Sequence, residues 1–261
     1  MKDLILANSG CVPSARMLRD ALENLGYPRL LVTRDETKTR IKLRYGNSSN
    51  ITSIYKDVIN PREFISLSAN KESFSLFCHE VGIRAPVFTK LHTEWPSEFP
   101  ALIRSTLTGK GCEGISTVSS MSELKELNQN YFWTPYCKVN KEYRVHVIDG
   151  NIIRVFEKQF EGETVDGTII RNNDNSHFSL VLDFDSKVAK GKFTKLTSVV
   201  NELYKKLYNK YNMPLMFSID IGWDSTNTNY IIFEINTASG LVENTAMEYA
   251  KHLGRILFPS G

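Results

Sequence analysis

Apolar positions along the chain follow two periods. Four stretches keep the helical one. SARMLRDALENLGY carries Leu18, Ala21, Leu22 and Leu25 on one stripe, and Gly26 stops it. NKESFSLFCHEVGI carries Phe74, Phe77, Cys78 and Val81, ends at Gly82, and is followed by Pro86. Residues 194 to 211 place Leu196, Val199, Val200, Leu203 and Leu207 inward, and ENTAMEYAKHLGRIL does the same with Ala246, Ala250, Leu253 and Leu257. SELKEL makes one further short helix.

The other stretches read as strands. DLILAN, RLLVT and IKLRYGN flank the first helix, giving a small α/β unit. ALIRST and STVSS enclose the glycine-rich TGKGCEGI. FWTPYCKV, EYRVHVI, NIIRVFEKQF, TIIRN and HFSLVLDF follow in succession, with the Asp-Gly of IDGN as a tight hairpin signal. LMFSIDIGW and YIIFEIN, joined by the polar turn DSTNTN, close the list of strands. The order predicts an α+β (mixed α/β) protein: an α/β unit, a helix with a strand–loop–strand, and a mixed sheet holding most of the polar residues. It is not an alternating parallel βαβ array.

Composition narrows the class without deciding it. The chain has 261 residues, 41% hydrophobic and 23% charged, enough for two or three small subdomains around a real core. No apolar run approaches the ~20 residues of a membrane span, so no membrane partner is expected. MKDLILANSG reads as a first strand and not as a signal peptide. Cys11, Cys78, Cys112 and Cys137 form no CxxC pair, and the histidines are scattered, which argues against zinc and against a disulfide framework. Ordinary packing thiols in a reducing cytoplasm are the expectation.

Net charge is +3, but residues 1 to 62 alone hold +5 and the remainder −2. In TRIKLRY, strand alternation puts Arg40, Lys42 and Arg44 on one face and Ile41, Leu43 and Tyr45 on the other. That face is either edge-strand protection or a groove for an anionic acceptor or nucleic acid.

The chemistry sits inside the strands. In SIDIGW, Ser218, Asp220 and Gly222 share a face; in YIIFEIN, Ile232, Glu234 and Asn236 do. The turn makes the two strands antiparallel neighbours, so Asp220, Glu234 and Asn236 converge. Three oxygen-bearing side chains without cysteine or histidine form a hard-cation set that suits Mg²⁺. A hydrogen-bonded polar patch or a wet sheet face is the competing reading. Gly109, Gly111 and Gly114 let backbone N–H groups approach phosphate oxygens, although TGKGCEGI is neither a Walker A loop nor a Rossmann turn. Arg104 and Lys158 add cations within strands, and Lys71 opens the second helix.

Read in order, Asn70–Lys71 with GIRAP, FPALIRST, TGKGCEGI, KEYRVHVIDGNIIRVFEKQ, IIRNN, SIDIG and FEINTASGL resemble the ATP-grasp superfamily over roughly residues 60 to 245. The resemblance is nearest to the branch that adds amino acids to carboxylates, and the short length with the EYRVHV–IIRNN pairing looks like its small phage-type members. It implies two α+β subdomains gripping ATP, at 63–135 with a glycine-rich lid and at 136–261 with a Mg²⁺ site, after an N-terminal α/β unit at 1–62. Lys71 and Arg104 would contact phosphates, with Arg104 standing where the family usually has Lys. Residues 109 to 114, including Lys110, would cover them. Tyr136 and Cys137 would present hinge backbone to adenine, Glu142 would bind the ribose, and Lys158 would reach the phosphates from the other subdomain. Asp220, Glu234 and Asn236 would hold one or two Mg²⁺ ions. Arg171 would stabilise an acyl-phosphate or tetrahedral adduct.

The activity so implied is ATP-dependent ligation of a carboxylate to an amine on small molecules, peptides or protein tails, through an acyl-phosphate. An ATP-grasp kinase, a nucleotide-binding regulator without turnover, and a nucleic-acid-binding module are the competing readings. The oligomeric state stays open.

Overall fold

The computed structural model describes residues 3–34, 40–49, 59–91, 93–108, 114–125, 127, 131–161, 176–183 and 193–259. The sequence-predicted strand TIIRN falls outside them, as do Gly109, Lys110, Gly111, Cys112 and Arg171.

Alternation builds three sheets. The first joins β1 (Asp3–Ala7), β2 (Leu31–Thr33) and β3 (Arg40–Tyr45) in the order β2-β1-β3, all parallel. Between β1 and β2 runs α1 (Val12–Asn24), which buries Ala15, Leu18, Ala21 and Leu22. Leu25, expected on that stripe, is its C-cap and is 40% exposed, because the helix ends there and Gly26 turns the chain at φ +84°.

β3 departs from its predicted pattern. The register on β1 shifts between Leu4 and Ile5, so that Leu4 faces Ile41 while Ile5 faces Leu43. Lys42 is the extra residue, and a bulge reverses the parity of everything after it. Ile41 therefore packs with Leu4 and Leu6, whereas Leu43 and Tyr45 pack with Ile5 and Ala7 on the opposite side. Arg40 and Arg44 no longer share a face. Arg40 forks onto Asp3 at 2.7 and 3.0 Å, Lys42 donates to the Leu257 carbonyl at 3.3 Å, and Arg44 is buried.

Two short helices follow where periodicity indicated one. REFISLSA forms α2 (Arg62–Ala69), ahead of the predicted helix, and α3 (Lys71–Glu80) starts after Asn70, whose extended backbone (φ −110°, ψ 112°) separates the two. The Asn70 carboxamide oxygen accepts from the Ser73 N–H at 3.0 Å, an N-cap that places Lys71 at the first helical position.

A four-stranded antiparallel sheet comes next: β4 (Thr89–Lys90), β5 (Ala101–Arg104), β6 (Ile115–Val118) and β7 (Phe132–Pro135), in the order β4-β7-β5-β6, with α4 (Met121–Lys125) after β6. Gly114 closes the β5–β6 connection: its carbonyl accepts from Ser105 N–H at 3.0 Å, its φ is +68°, and a Cβ there would stand 2.1 Å from the Ser105 hydroxyl.

The largest sheet has β8 (Lys141–Ile148), β9 (Asn151–Phe160), β10 (Ser176–Asp183), β11 (Met216–Asp224) and β12 (Asn229–Asn236). Its order is β10-β9-β8-β11-β12, and every pairing among the described strands is antiparallel, where a mixed sheet was expected. Helix α5 (Thr194–Tyr211) and α3 cover one face. Leu196, Val200, Leu203, Leu207, Phe74, Phe77 and Cys78 pack there against Val145, Val147, Phe217, Ile219 and Ile221. Helix α6 (Glu243–Leu257) covers part of the other and lies against α1, with Tyr249, Ala250 and Leu253 among Ile5, Leu18 and Leu22. No described helix is long and apolar enough to cross a membrane.

Candidate functional site

The uncovered part of that second face carries the polar residues. Across the strands, Asp220 lies opposite Glu234 on one side and Arg144 on the other, while Gly222 lies opposite Glu142. On β9, Phe156 is opposite Arg144, and on β10 Phe178 is opposite Lys158. Since directly opposed residues project to the same face, Lys158, Glu142, Arg144, Asp220, Glu234 and Asn236 form one continuous polar strip.

The parity of β12 holds only as far as Phe233. The register on β11 shifts between Asp220 and Ile221, so that Ile232 faces Ile221 and turns into the core, where it is fully buried. The expectation that Ile232 shares the face of Glu234 and Asn236 is therefore corrected by a bulge. Phe233 comes to lie beside Gly222, whose missing side chain makes the room: a Cβ there would stand 2.6 Å from Val139 and 2.8 Å from the Phe233 ring.

Three acid–cation pairs cross the strip. Arg144 Nε and Nη2 donate to the two Asp220 oxygens at 2.7 Å each. Lys71, brought from the start of α3, sits 3.1 Å from one Glu234 oxygen, and the Asn236 amide donates to the other at 3.2 Å. Lys158 donates to Glu142 at 3.3 Å. The Phe178 ring backs two of the cations, 4.5 Å from the Arg144 guanidinium and 5.9 Å from the Lys158 ammonium.

Burial opposes ionisation throughout, and the partners decide the outcome. Burial pushes Glu234 upward, but Lys71, the Asn236 amide and Arg144 outweigh it and hold its carboxyl at about 2. Burial raises the Asp220 carboxyl, with Arg144 opposing. A fork of two 2.7 Å bonds needs both oxygens as acceptors, so the geometry assigns Asp220 as a carboxylate. Removing one partner of such a pair strands a buried charge, at a cost of roughly 3–5 kcal/mol.

Behind the strip, the chain continues from Asn236 into a loop held by hydroxyls. Ser239 is hydrogen-bonded to Ser218 and accepts at its carbonyl from Tyr45; Ser68 and Thr237 share a bond at 3.3 Å, and Leu241 N–H donates to Ser14 at 3.2 Å. The N-terminal unit therefore abuts the residues that follow the acids.

Solved structures share this fold. A D-cycloserine synthetase superposes with a TM-score of 0.66 at 13% identity, over 98% of this chain and 99% of its own. The N5-carboxyaminoimidazole synthetase of Staphylococcus aureus, solved with ADP, reaches 0.66 at 12% identity over 100% and 78%. An ATP-grasp ligase solved with a minimal precursor reaches 0.59 at 10% over 98% and 99%. The chain has the ATP-grasp fold. No protein-family model matches it, and neither does any curated protein sequence.

Within the ATP-grasp fold, the residues singled out from the sequence fall into three groups. Lys71, Glu142, Lys158, Asp220, Glu234 and Asn236 come together on the strip. Arg104 ends β5 on the four-stranded sheet, with its guanidinium 5.6 Å from the Phe88 ring. Tyr136 and Cys137 lie between β7 and β8, on the connection between the two sheets, but Tyr136 N–H already donates to the Pro100 carbonyl at 3.3 Å.

Arg144 and His146 were missed, although Glu142, Arg144 and His146 alternate within EYRVHV and share a face. That alternation was the available signal. His146 is buried, and its Nδ1–H donates at 3.1 Å to the Tyr249 hydroxyl, which in turn donates to the Phe217 carbonyl at 2.9 Å.

The donor set fits a hard cation in one particular way. Among the described residues no three carboxylate, imidazole or thiol groups gather as a metal site. Two carboxylates and one amide oxygen are what Asp220, Glu234 and Asn236 offer, which leaves coordination positions for phosphate and water, as Mg²⁺ prefers.

Proposed function

We propose that the chain is an ATP-dependent carboxylate–amine ligase. The reading rests chiefly on one observation: on one face of the large sheet of an ATP-grasp fold, three acids each stand beside a cation, with Asp220, Glu234 and Asn236 together on its last two strands. A phosphoryl transfer to a carboxylate brings anion toward anion, so the barrier is largely electrostatic. This strip supplies both signs of charge.

Asp220, Glu234 and Asn236 would hold Mg²⁺, which neutralises phosphate charge when bound. Lys71, Arg104 and Lys158 bind the phosphates, and the loop 109 to 114, with Gly109, Lys110 and Gly111, excludes water above them. Glu142 takes the ribose hydroxyls. Val139 and Phe233, beside Gly222 and next to the hinge at Cys137, suit a flat purine. The substrate carboxylate attacks the γ-phosphorus, ADP leaves, and an acyl-phosphate forms. An amine then attacks the acyl carbon, with Arg171 steadying the adduct, and phosphate departs. A cleft of about 520 Å³ at the carboxyl ends of β1 and β2, lined by Ser9, Val12, Arg16, Thr33 and Arg34 among others, gives the N-terminal unit room for a substrate. A reducing cytoplasm suits the buried thiol of Cys78.

The test is product analysis. A small-molecule extract incubated with the protein, ATP and Mg²⁺ is expected to yield ADP, free phosphate and a condensation product lighter than its parts by one water, seen by mass spectrometry. ADP with the phosphoryl group retained on a hydroxyl would replace this reading with a kinase.

A further inference from the structure

The Arg144–Asp220 fork raises a question that the proposed reaction does not answer. Asp220 is offered above as a cation ligand, yet both of its oxygens are engaged by the guanidinium at 2.7 Å. Glu234 is engaged in the same manner, one oxygen by Lys71 at 3.1 Å and the other by the Asn236 amide at 3.2 Å. The four carboxylate oxygens of the two acids thus already receive hydrogen bonds or an ion pair. A dication arriving alone would meet two fixed positive charges at the ligands it needs.

Charge bookkeeping on the strip points the same way. Among the described residues, Glu142, Asp220 and Glu234 each have a cation beside them, Lys158, Arg144 and Lys71 respectively. The matched set is partly withdrawn from water, with side-chain exposures of 7% for Asp220, 14% for Lys71 and 22% for Arg144. A metal alone would strand the cations, and a polyphosphate alone would face the uncovered acids. A metal-bound polyphosphate supplies both kinds of partner together: phosphate oxygens accept the same bidentate fork that a carboxylate does, and the released carboxylates turn to the metal.

We propose that Arg144 and Lys71 are resident counter-ions that keep Asp220 and Glu234 closed to a divalent cation until a polyphosphate draws them away. The inference rests on the reading of this strip as a nucleotide and metal site. It makes Arg144 a positioning residue that acts through Asp220. It also makes metal and nucleotide affinities reciprocal: each raises the other by the same factor.

Two measurements on the full chain test this. Mn²⁺ is titrated into nucleotide-free protein, with free Mn²⁺ followed by electron paramagnetic resonance, for the wild type, Arg144→Met and Lys71→Met. Separately, the non-hydrolysable analogue AMP-PNP is titrated calorimetrically with EDTA or with Mn²⁺. The wild type is expected to bind Mn²⁺ at least about tenfold more weakly than Arg144→Met or Lys71→Met, and AMP-PNP at least about tenfold more tightly with Mn²⁺ than without. A merely structural arginine would lower stability on removal and would not raise metal affinity. Arg144→Lys, which keeps the charge but loses the fork, is expected to fall between wild type and Arg144→Met, and serves if the methionine variant does not fold. Nucleotide-free wild type that takes Mn²⁺ as tightly as the variants, while still binding AMP-PNP, overturns the proposal and leaves the ligase reading standing. Absence of AMP-PNP binding under both conditions overturns the ligase reading, and the proposal with it.

Discussion

At the scale of single residues, charge is kept inside the protein only where a partner stands opposite. Glu234 shows this: burial alone would neutralise it, yet Lys71, Asn236 and Arg144 hold its carboxyl at about 2. Glu234→Gln removes the charge and keeps the shape. It is expected to abolish ADP formation while weakening AMP-PNP binding only moderately; near-normal turnover would count against a role in holding the metal. His146 is the opposite case. Burial, then Arg144 and Arg154, lower it from 6.5 to about 3, so it stays neutral with its proton on Nδ1 toward Tyr249. The unfolded chain binds a proton below pH 6.5 that the folded chain refuses, so stability is complete above 6.5 and falls as pH drops toward 3. The slope in that window is at most about 1.4 kcal/mol per pH unit. His146→Asn, which keeps a donor for Tyr249 and cannot titrate, is expected to flatten the pH dependence of chemical unfolding between 6.5 and 4. An unchanged slope would place the titration elsewhere. Much of this strip was legible in the sequence, because carboxylates and amides two apart in a strand declare their face. Arg144 and His146 follow the same alternation, but a cation in a strand also reads as a surface residue, and only the opposed Asp220 reveals that it is not.

Elements were legible where one period ran without interruption. Helices α5 and α6 begin and end as their stripes predict, and the β8–β9 hairpin turns at Asp149 and Gly150, both with positive φ. Two strands were misread for a shared reason. One extra residue in β3, at Lys42, and another in β12, near Phe233, reverse the parity of the residues beyond them. Nothing in a single strand's alternation announces a bulge, since it is a property of the pairing. Helix α2 was missed because VINPREF reads as turn punctuation and the predicted helix starts only at Asn70, the residue that caps α3. That Asn is itself testable. Asn70→Ala is expected to lower the unfolding free energy by about 1 kcal/mol, as the loss of an N-cap does, and Asn70→Ser to recover most of it. Urea denaturation would measure both, and equal losses would show that the cap bond contributes nothing.

At the scale of the whole molecule, the three sheets and their helices bring sequence-distant residues to one strip. Lys71 arrives on α3, whose apolar side is fixed to the core face of the large sheet, and reaches Glu234 at that sheet's edge strand. Helix α6 ties the large sheet to α1 through Tyr249, Leu253 and their neighbours, so the N-terminal unit stands against the loop after Asn236. The order of segments along the chain carried the resemblance to the ATP-grasp fold, and the superposition on ligases of 10–13% identity bears that part out. How Arg144 and Lys71 close over the acids was not legible, because it depends on which strands become neighbours. The most direct test of the central claim is a crystal structure with AMP-PNP and Mg²⁺. The account predicts a metal bound by Asp220, Glu234 and Asn236 and bridged to the phosphates, with Lys71 and Arg144 turned from the carboxylates onto phosphate oxygens. Phosphates bound elsewhere, with the three ion pairs intact, would contradict it.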